Sequence, residues 1–384
     1  MKTILFVHQS ADLYGSDKVL LNLVRAIQGR GFKAIVLLPV EGPLRERLET
    51  VGVETHVAPV ARLSRACFSP LGMLRLPCQI IRAMRCMDTL LQGREISLVH
   101  SNTLAVLGGA FWARWRRVPH LWHVHELLVA PTLVRVGFPW LLKQMADLVM
   151  CNSTMTAKWV VDVQPKLVKR TVVVWNGVES PDSGIESVQC DVDAPNQVCV
   201  ALVGRINRLK GQALLVEAAS RLWDEGLRHV KYLVVGSPPE GQGHYLEQLR
   251  SVIASSPTRE MFVVRDFQEN IWPVWNECDI AVVPSTEPES FGLVAIEAMA
   301  AGKPVIAAAH GGLLDIVDDN RTGLLVPPND AGALAAALRR LIDDQTLRWE
   351  FGKAGRVRQR ERFSLAAQVE ETINCYEKLL SNDD

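Results

Sequence analysis

Short runs of continuous apolar residues alternate with helix-patterned stretches from one end of the chain to the other, and this alternation most restricts its fold. In order the runs are ILFVHQ, KAIVLLP, ETHVAP, SLVHSN, HLWHVHE, DLVMCNS and TVVVWNGV, with helical patterns over 16–29, 43–51, 103–115 and 153–163. The series resumes as VCVALVGR, VKYLVVGS, MFVVRD, DIAVVPS, PVIAAA and TGLLVPP, each followed by helical periodicity. A strand covered by helices on both faces loses the apolar–polar alternation of a half-exposed strand, so unbroken runs predict doubly wound parallel sheets. Two series predict two domains, and 384 residues are enough for two cores. The polar, turn-rich stretch GVESPDSGIESVQCDVDAPNQ reads as a linker, which puts the domains at 1–178 and 197–364. Residues 365–384 form a C-terminal helix expected to pack across the domain junction, because no further strand follows to need it.

With 42 basic and 42 acidic residues the chain has no overall field to attract nucleic acid, which is excluded as a partner. The charge is locally uneven. Residues 60 to 117 hold arginines 62, 65, 75, 82, 85, 94, 114, 116 and 117 against only Asp88 and Glu95. Within that segment Arg75, Arg82 and Arg85 are set among Leu, Ile and Met as the basic rim of an apolar helix face, broken at Pro77. Such a face suits an anionic membrane surface. Eight cysteines without a C-x-x-C pair read as reduced thiols of a cytoplasmic protein. The opening MKTILFVHQSADLYG reads as a first buried strand, not a signal peptide, and the lipid-like stretch 127–145 is interrupted by Arg135 and two prolines before it can span a bilayer.

The chemistry concentrates in EPESFGLVAIEAMAAGKPV, residues 287–305. Turn residues open it and Gly302-Lys303-Pro304 close it, which marks a helix between two strands. Glu289 and Glu297 are expected on that one helix, about 12 Å apart along its axis. This exceeds the roughly 5 to 9.5 Å of a hydrolytic acid/base pair. It suits an extended ligand with hydroxyls at each carboxylate and a diphosphate between them, seated on the N–H groups of Phe291, Gly292 and Leu293. A nucleotide-sugar has that layout. In VALVGRINRLKGQ, Arg205, Arg208 and Lys210 follow a strand's carboxyl end, where cations can clamp a diphosphate. His123 and His125 fall on one face of a strand in PHLWHVHEL, followed by Glu126. A metal pair is formally open there, but no third ligand stands at motif spacing, which favours hydrogen-bonded buried rings. Asp191-Val-Asp193 sits in the linker and reads as loop. P-loop and dinucleotide fingerprints are absent from the sequence, which removes kinase and dehydrogenase readings.

Glu289-Ser-Phe-Gly-Leu-x-x-x-Glu297-Ala-Met-Ala-x-Gly, preceded by Gly204-Arg205 and Lys210-Gly211 and followed by Gly311-Gly312 and Thr322-Gly323-Leu-Leu-Val, closely resembles the retaining glycosyltransferases of family 4. The resemblance spans essentially the whole chain, including Trp175-Asn-Gly-Val before the linker. It implies a GT-B fold, two Rossmann-like domains facing across a cleft, with the acceptor side in the first and the nucleotide-sugar in the second. It further implies Glu289 on donor-sugar hydroxyls, Glu297 on the ribose diol, Arg205 and Lys210 on the diphosphate, and Ser290, Phe291, Gly292 and Leu293 at the donor. His125 would face the donor sugar. Tyr14-Gly15-Ser16-Asp17 stands where the family has a two-glycine loop, with Gly15 alone kept. The implied activity is metal-independent, retaining transfer of a hexosyl group from a nucleoside diphosphate sugar, the co-substrate in place of any bound cofactor. The implied acceptor is a glycan or lipid-linked molecule of O-antigen, capsule or lipopolysaccharide synthesis at the inner face of the cell membrane. Two rivals share the fold: a noncatalytic partner subunit and a sugar-nucleotide epimerase.

Overall fold

A computed structural model describes residues 1–64, 67, 69–128, 131–180 and 197–381. Arg65, most of the stretch read as linker and the Asp191-Val-Asp193 triplet lie outside the described residues. The chain divides into two compact units, Met1–Asn176 with Leu365–Asp384, and Gly177–Ser364.

The first unit carries strands β1 (Lys2–His8), β2 (Phe32–Leu38), β3 (Glu54–Val57), β4 (Leu98–Asn102), β5 (His120–Val124), β6 (Leu148–Cys151) and β7 (Thr171–Val173). They form one sheet in the order β3-β2-β1-β4-β5-β6-β7, every pair parallel. The second carries β8 (Val198–Val203), β9 (Val230–Val235), β10 (Phe262–Arg265), β11 (Ile280–Val283), β12 (Val305–Ala308) and β13 (Gly323–Val326). Their order is β10-β9-β8-β11-β12-β13, again all parallel. Both are α/β sheets wound outward from their centre, and the order reverses between β1 and β4 in one and between β8 and β11 in the other. Loops leaving the carboxyl ends of those strands splay apart there and open a crevice for a ligand.

Alternate residues of each strand serve opposite faces, which explains the unbroken apolar runs. Leu5, Val7, Val99 and Trp122 join one core cluster, while Ile4, Phe6, Leu98 and Leu121 join the other. The last helix, Leu365–Leu380, read from the sequence as packing across the junction, is part of the first unit. Its Leu365, Val369, Ile373 and Tyr376 follow helical spacing and fill the core on the Ile4 and Phe6 face. Two sequence expectations need correction. The pattern read over 103–115 is helical only from Gly108 to Arg116. The break expected at Pro77 is absent, and the helix runs from Pro70 to Leu90 with Pro77 inside it. Ser69 caps its start through a hydrogen bond from the Gly72 N–H (3.1 Å). Pro77 leaves the carbonyl four residues back without a partner, at Met73, where solvent is at hand because Met73 is exposed.

Candidate active site

In the second unit two loops meet at the reversal of strand order. Gly204 ends β8 with φ +152°. Asn207 then caps a single turn, its Oδ1 accepting from the N–H groups of Leu209 (3.0 Å) and Lys210 (3.2 Å). Gly211 lies so close to the other loop that a Cβ there would stand 2.0 Å from the Pro284 carbonyl oxygen. The loop after β11 ties back through the Thr286 N–H to the Leu209 carbonyl (2.9 Å) and the Thr286 hydroxyl to the Arg208 carbonyl (3.0 Å). Arg208 is committed to an ion pair with Glu287. This bracing delivers Lys210 Nζ to Glu289 Oε1 at 2.8 Å, where both side chains are largely covered. The Ser285 hydroxyl donates to the same oxygen. Burial opposes the charge on Glu289, but the ammonium of Lys210, its hydrogen bond, that of Ser285 and the nearby His310 together hold the carboxyl below its usual range. His310 Nε2 donates to the Ser285 carbonyl (2.7 Å), and its buried Nδ1 is unpartnered among the described residues.

The helix that follows spans Leu293–Ala300. Glu297 lies on it, half-buried among Ala295, Ile296, Ala298, Met299 and Ala300, which are all buried. Glu289 does not. Four residues ahead of the helix, its carbonyl accepts the Gly312 N–H (2.8 Å), and Gly292 at φ +125° breaks the helical path between them. The sequence expectation of one helix bearing both carboxylates, with its 12 Å separation, is therefore corrected. Between them the N–H groups of Phe291, Gly292 and Leu293 donate to no other described group. Ser290 stands in the same irregular segment. Gly311 supports that segment from behind, at φ +63°, and a Cβ there would come 2.2 Å from the Glu289 carbonyl oxygen. Gly311→Ala is expected to destabilise the protein by about 1 to 3 kcal/mol, since neither the backbone nor the contact can yield cheaply. Urea unfolding measures it, and an unchanged midpoint would show that the loop does not rest on Gly311.

In the first unit the same reversal gathers polar ends of apolar strands. His125, just beyond β5, bonds through Nε2 to Asn102 Oδ1 at 2.9 Å. Asn102 Nδ2 meets His8 Nδ1 at 3.0 Å, and His8 Nε2 meets Asp17 Oδ1 at 2.6 Å. Asp17 also accepts the Ser10 hydroxyl (2.5 Å) and the Tyr14 N–H (2.9 Å), and so caps the helix that begins at Gly15. Burial opposes the Asp17 charge, but these bonds, led by that of His8, hold the carboxyl below its usual range. An amide oxygen only accepts, so His125 carries its proton on Nε2. Burial, aided by His8, pushes the ring down to about 3, and it is neutral with a lone pair on Nδ1. His123 lies 3.8 Å from His125 between ring centres, and both its nitrogens are buried without a partner among the described residues. No group of three side chains suited to a metal occurs among the described residues. Burial raises the Glu126 carboxyl to about 7, against N–H donors from Leu104 and His125.

Sequence reasoning missed His8, Asn102, Ser285 and His310. The first three share a legible signal, being polar residues that end or just follow apolar runs at the strands beside each reversal. Arg205 is exposed beside Gly204, and its carbonyl accepts from the Gln212 amide (2.9 Å).

Both halves of the chain match known families. The family model described as Glycosyltransferase Family 4 matches residues 14–180, and that described as Glycosyl transferases group 1 matches residues 192–358. The D-inositol 3-phosphate glycosyltransferase of Mycobacteroides abscessus is 38% identical over 270 residues, 64% of this chain and 58% of that one. The protein of the same name from Geodermatophilus obscurus is 35% identical over 241 residues, 60% of this chain and 52% of its own. The chain spans about half the length of the curated relatives it matches. Among solved structures, Anabaena HepE in complex with UDP and glucose superposes with a TM-score of 0.82, covering 98% of this chain and 100% of that one at 24% identity. Sucrose-phosphate synthase from Thermosynechococcus elongatus gives 0.76, covering 100% of both chains at 23% identity. At such identities the likeness speaks for the fold alone. With two parallel sheets of Rossmann order and both halves matched in sequence, the chain belongs to the family 4 glycosyltransferases and has the GT-B fold.

Proposed function

We propose that the protein transfers a sugar from a nucleoside diphosphate sugar to a hydroxyl acceptor, with retention of configuration and without a metal. The observation that carries this reading is the covered Lys210–Glu289 pair beside three N–H groups at the reversal of strand order. In the reaction the bond from the anomeric carbon to the diphosphate oxygen breaks, and its electron pair stays on the phosphate. The acceptor oxygen bonds the anomeric carbon on the same face, and its proton passes to the departing phosphate. Charge grows on the diphosphate as the bond lengthens, where Lys210, Arg205 and the N–H groups of residues 291–293 are fixed donors. Glu289, oriented by Lys210 and Ser285, takes donor-sugar hydroxyls, and Glu297 takes the ribose diol. Nδ1 of His125 accepts a sugar hydroxyl.

UDP-glucose is the first donor to test, since related folds have been solved with UDP and with UDP-glucose. The purified chain is expected to form a glycosylated product with a lipid-linked glycan of the surface-polysaccharide type, with chelator present. D-inositol 3-phosphate, the substrate in the relatives' names, belongs in the same screen. Product from donor alone would favour an epimerase, and no product with any donor a noncatalytic subunit. Glu297→Ala is expected to weaken nucleotide binding by about 2 to 4 kcal/mol, because a covered carboxylate holding two hydroxyls is lost. Unchanged affinity by calorimetry would remove the ribose assignment.

A membrane-bound acceptor is favoured by one surface. On the helix Pro70–Leu90, Leu71, Met73, Leu74 and Ile81 are exposed together with Arg75, Arg82 and Arg85. No described helix is long and apolar enough to cross a membrane. The helix instead suits an anionic lipid surface, each arginine adding about 1 kcal/mol near the headgroups. Sedimentation with anionic vesicles is expected to fall with salt and when the three arginines become glutamine. Equal sedimentation with neutral vesicles would remove the lipid role.

A further inference from the structure

The first unit has a second concave site on the opposite edge of its sheet. A cleft of about 640 Å³ is lined by Arg114, Arg117, Lys169, Arg170 and Lys378 over a floor that includes Val118 and Leu148. These residues belong to the segments, helical in part, that lead into β5, β6 and β7 and to the last helix, whereas His125 and its partners stand at the carboxyl ends of the strands. In a parallel sheet the two sets lie a strand length apart, roughly 13 to 17 Å.

Cations often gather at such an edge to answer helix carboxyl ends: Arg114 and Lys378 stand in the last turns of their own helices, and Arg170 caps another helix directly. Arg170 donates to the carbonyls of Ala146 (2.8 Å) and Lys143 (3.0 Å). Among the described residues the only carboxylate lining the cleft, Asp147, accepts the His120 N–H (2.8 Å). Arg114, Arg117, Lys169 and Lys378 have no carboxylate within ion-pairing distance among the described residues. Like charges brought to one concavity repel one another until an anion enters. The cleft falls within the roughly 300 to 1,000 Å³ of small-molecule sites.

We propose that this cleft binds a phosphate-bearing small molecule at a site separate from the one proposed for sugar transfer. Arg114 and Arg117 present planar donors to phosphate oxygens, Lys169 and Lys378 add point charges, and the apolar floor takes the organic part. The proposal does not depend on the transfer reading. Inorganic pyrophosphate is the probe, titrated calorimetrically into the full chain carrying Lys210→Ala, which disables the proposed donor seat. That variant is expected to keep one pyrophosphate site, and adding Arg117→Gln and Lys378→Gln is expected to weaken it at least about tenfold. Both glutamine substitutions are at exposed positions, so the urea midpoint is expected to hold. No pyrophosphate binding by the Lys210→Ala chain, or equal affinity after the glutamine substitutions, would overturn the proposal. Vesicles containing phosphatidate distinguish the source of the phosphate: association lost with the same two substitutions would assign the cleft to a lipid headgroup, and association indifferent to them to a soluble ligand.

Discussion

Lys210→Ala is expected to lower kcat about 10²- to 10³-fold with a smaller change in donor KM, because the ammonium acts most strongly on charge that appears as the glycosidic bond breaks. The substitution also strips Glu289 of its main stabilising partner. Burial, the largest influence on that carboxyl, would then act against only Ser285 and His310, and its pKa would rise. The sign can be read in the pH profile. In the native protein the Glu289 carboxyl lies below its usual range, so the ionised form dominates near neutrality. In the variant the acid limb of the residual activity is expected to move to higher pH. Lys210→Arg keeps the charge but changes its shape, and only partial recovery is expected. An alanine variant with native kcat would remove Lys210 from the transition state. A reduced kcat with an unmoved acid limb would keep Lys210 but separate it from the ionisation of Glu289.

Mild acid is expected to destabilise the first unit steeply. Burial is the leading cause that holds His100 and His123 well below the usual histidine range, His120 at about 4 and His125 at about 3. All four are neutral in the folded protein at pH values where the unfolded chain, with histidines near 6.5, takes up protons. Below about pH 6.5 the unfolded state therefore binds more protons, and stability is lost as pH falls. The slope is up to about 1.4 kcal/mol per pH unit for each ring. Glu126 opposes this, since its folded value of about 7 makes the native state bind more protons than the unfolded one between about pH 4.3 and 7. Four rings against one carboxyl leave about three protons, or on the order of 4 kcal/mol per pH unit near pH 5.5, a large part of a normal folding free energy. Urea midpoints at pH 7, 6 and 5 measure the effect. A flat series would mean that water reaches these rings, and His123→Leu should lessen the slope if the burial is real.

Much of the fold was legible because burial on both faces of a parallel strand leaves a plain mark. ILFVH and DIAVVPS have no polar alternation to confuse the assignment, and each became a strand beside a reversal of order. The candidate site was legible as a set of residues but not as geometry. Helix-favouring residues run only from Leu293 to Ala300, with Ser290, Phe291 and Gly292 between them and Glu289, and Gly312, distant in sequence, takes the Glu289 carbonyl and holds it off the helix. The chain from Asp17 through His8 and Asn102 to His125 joins residues from three strand ends and a helix start. No local spacing could announce it, because the parallel pairing of β1 with β4 and β4 with β5 brings its members together. Pro77 misled for the opposite reason: a local rule was applied where solvent could satisfy the freed carbonyl.

The placement of the last helix has a consequence for the order in which a ribosome can deliver a finished protein. The second unit is one continuous stretch, Gly177–Ser364, with all its strands in hand before synthesis reaches Leu365. The first unit begins earlier but lacks part of one core face until Leu365, Val369, Ile373 and Tyr376 emerge, and Tyr376 alone supplies the hydroxyl that meets His100 Nδ1 at 2.7 Å. Domains made during translation usually close in the order they are written. Here the half translated first must wait, its Ile4 and Phe6 face partly uncovered, while the half translated second folds, and a nascent chain stalled before residue 365 would present that face to chaperones.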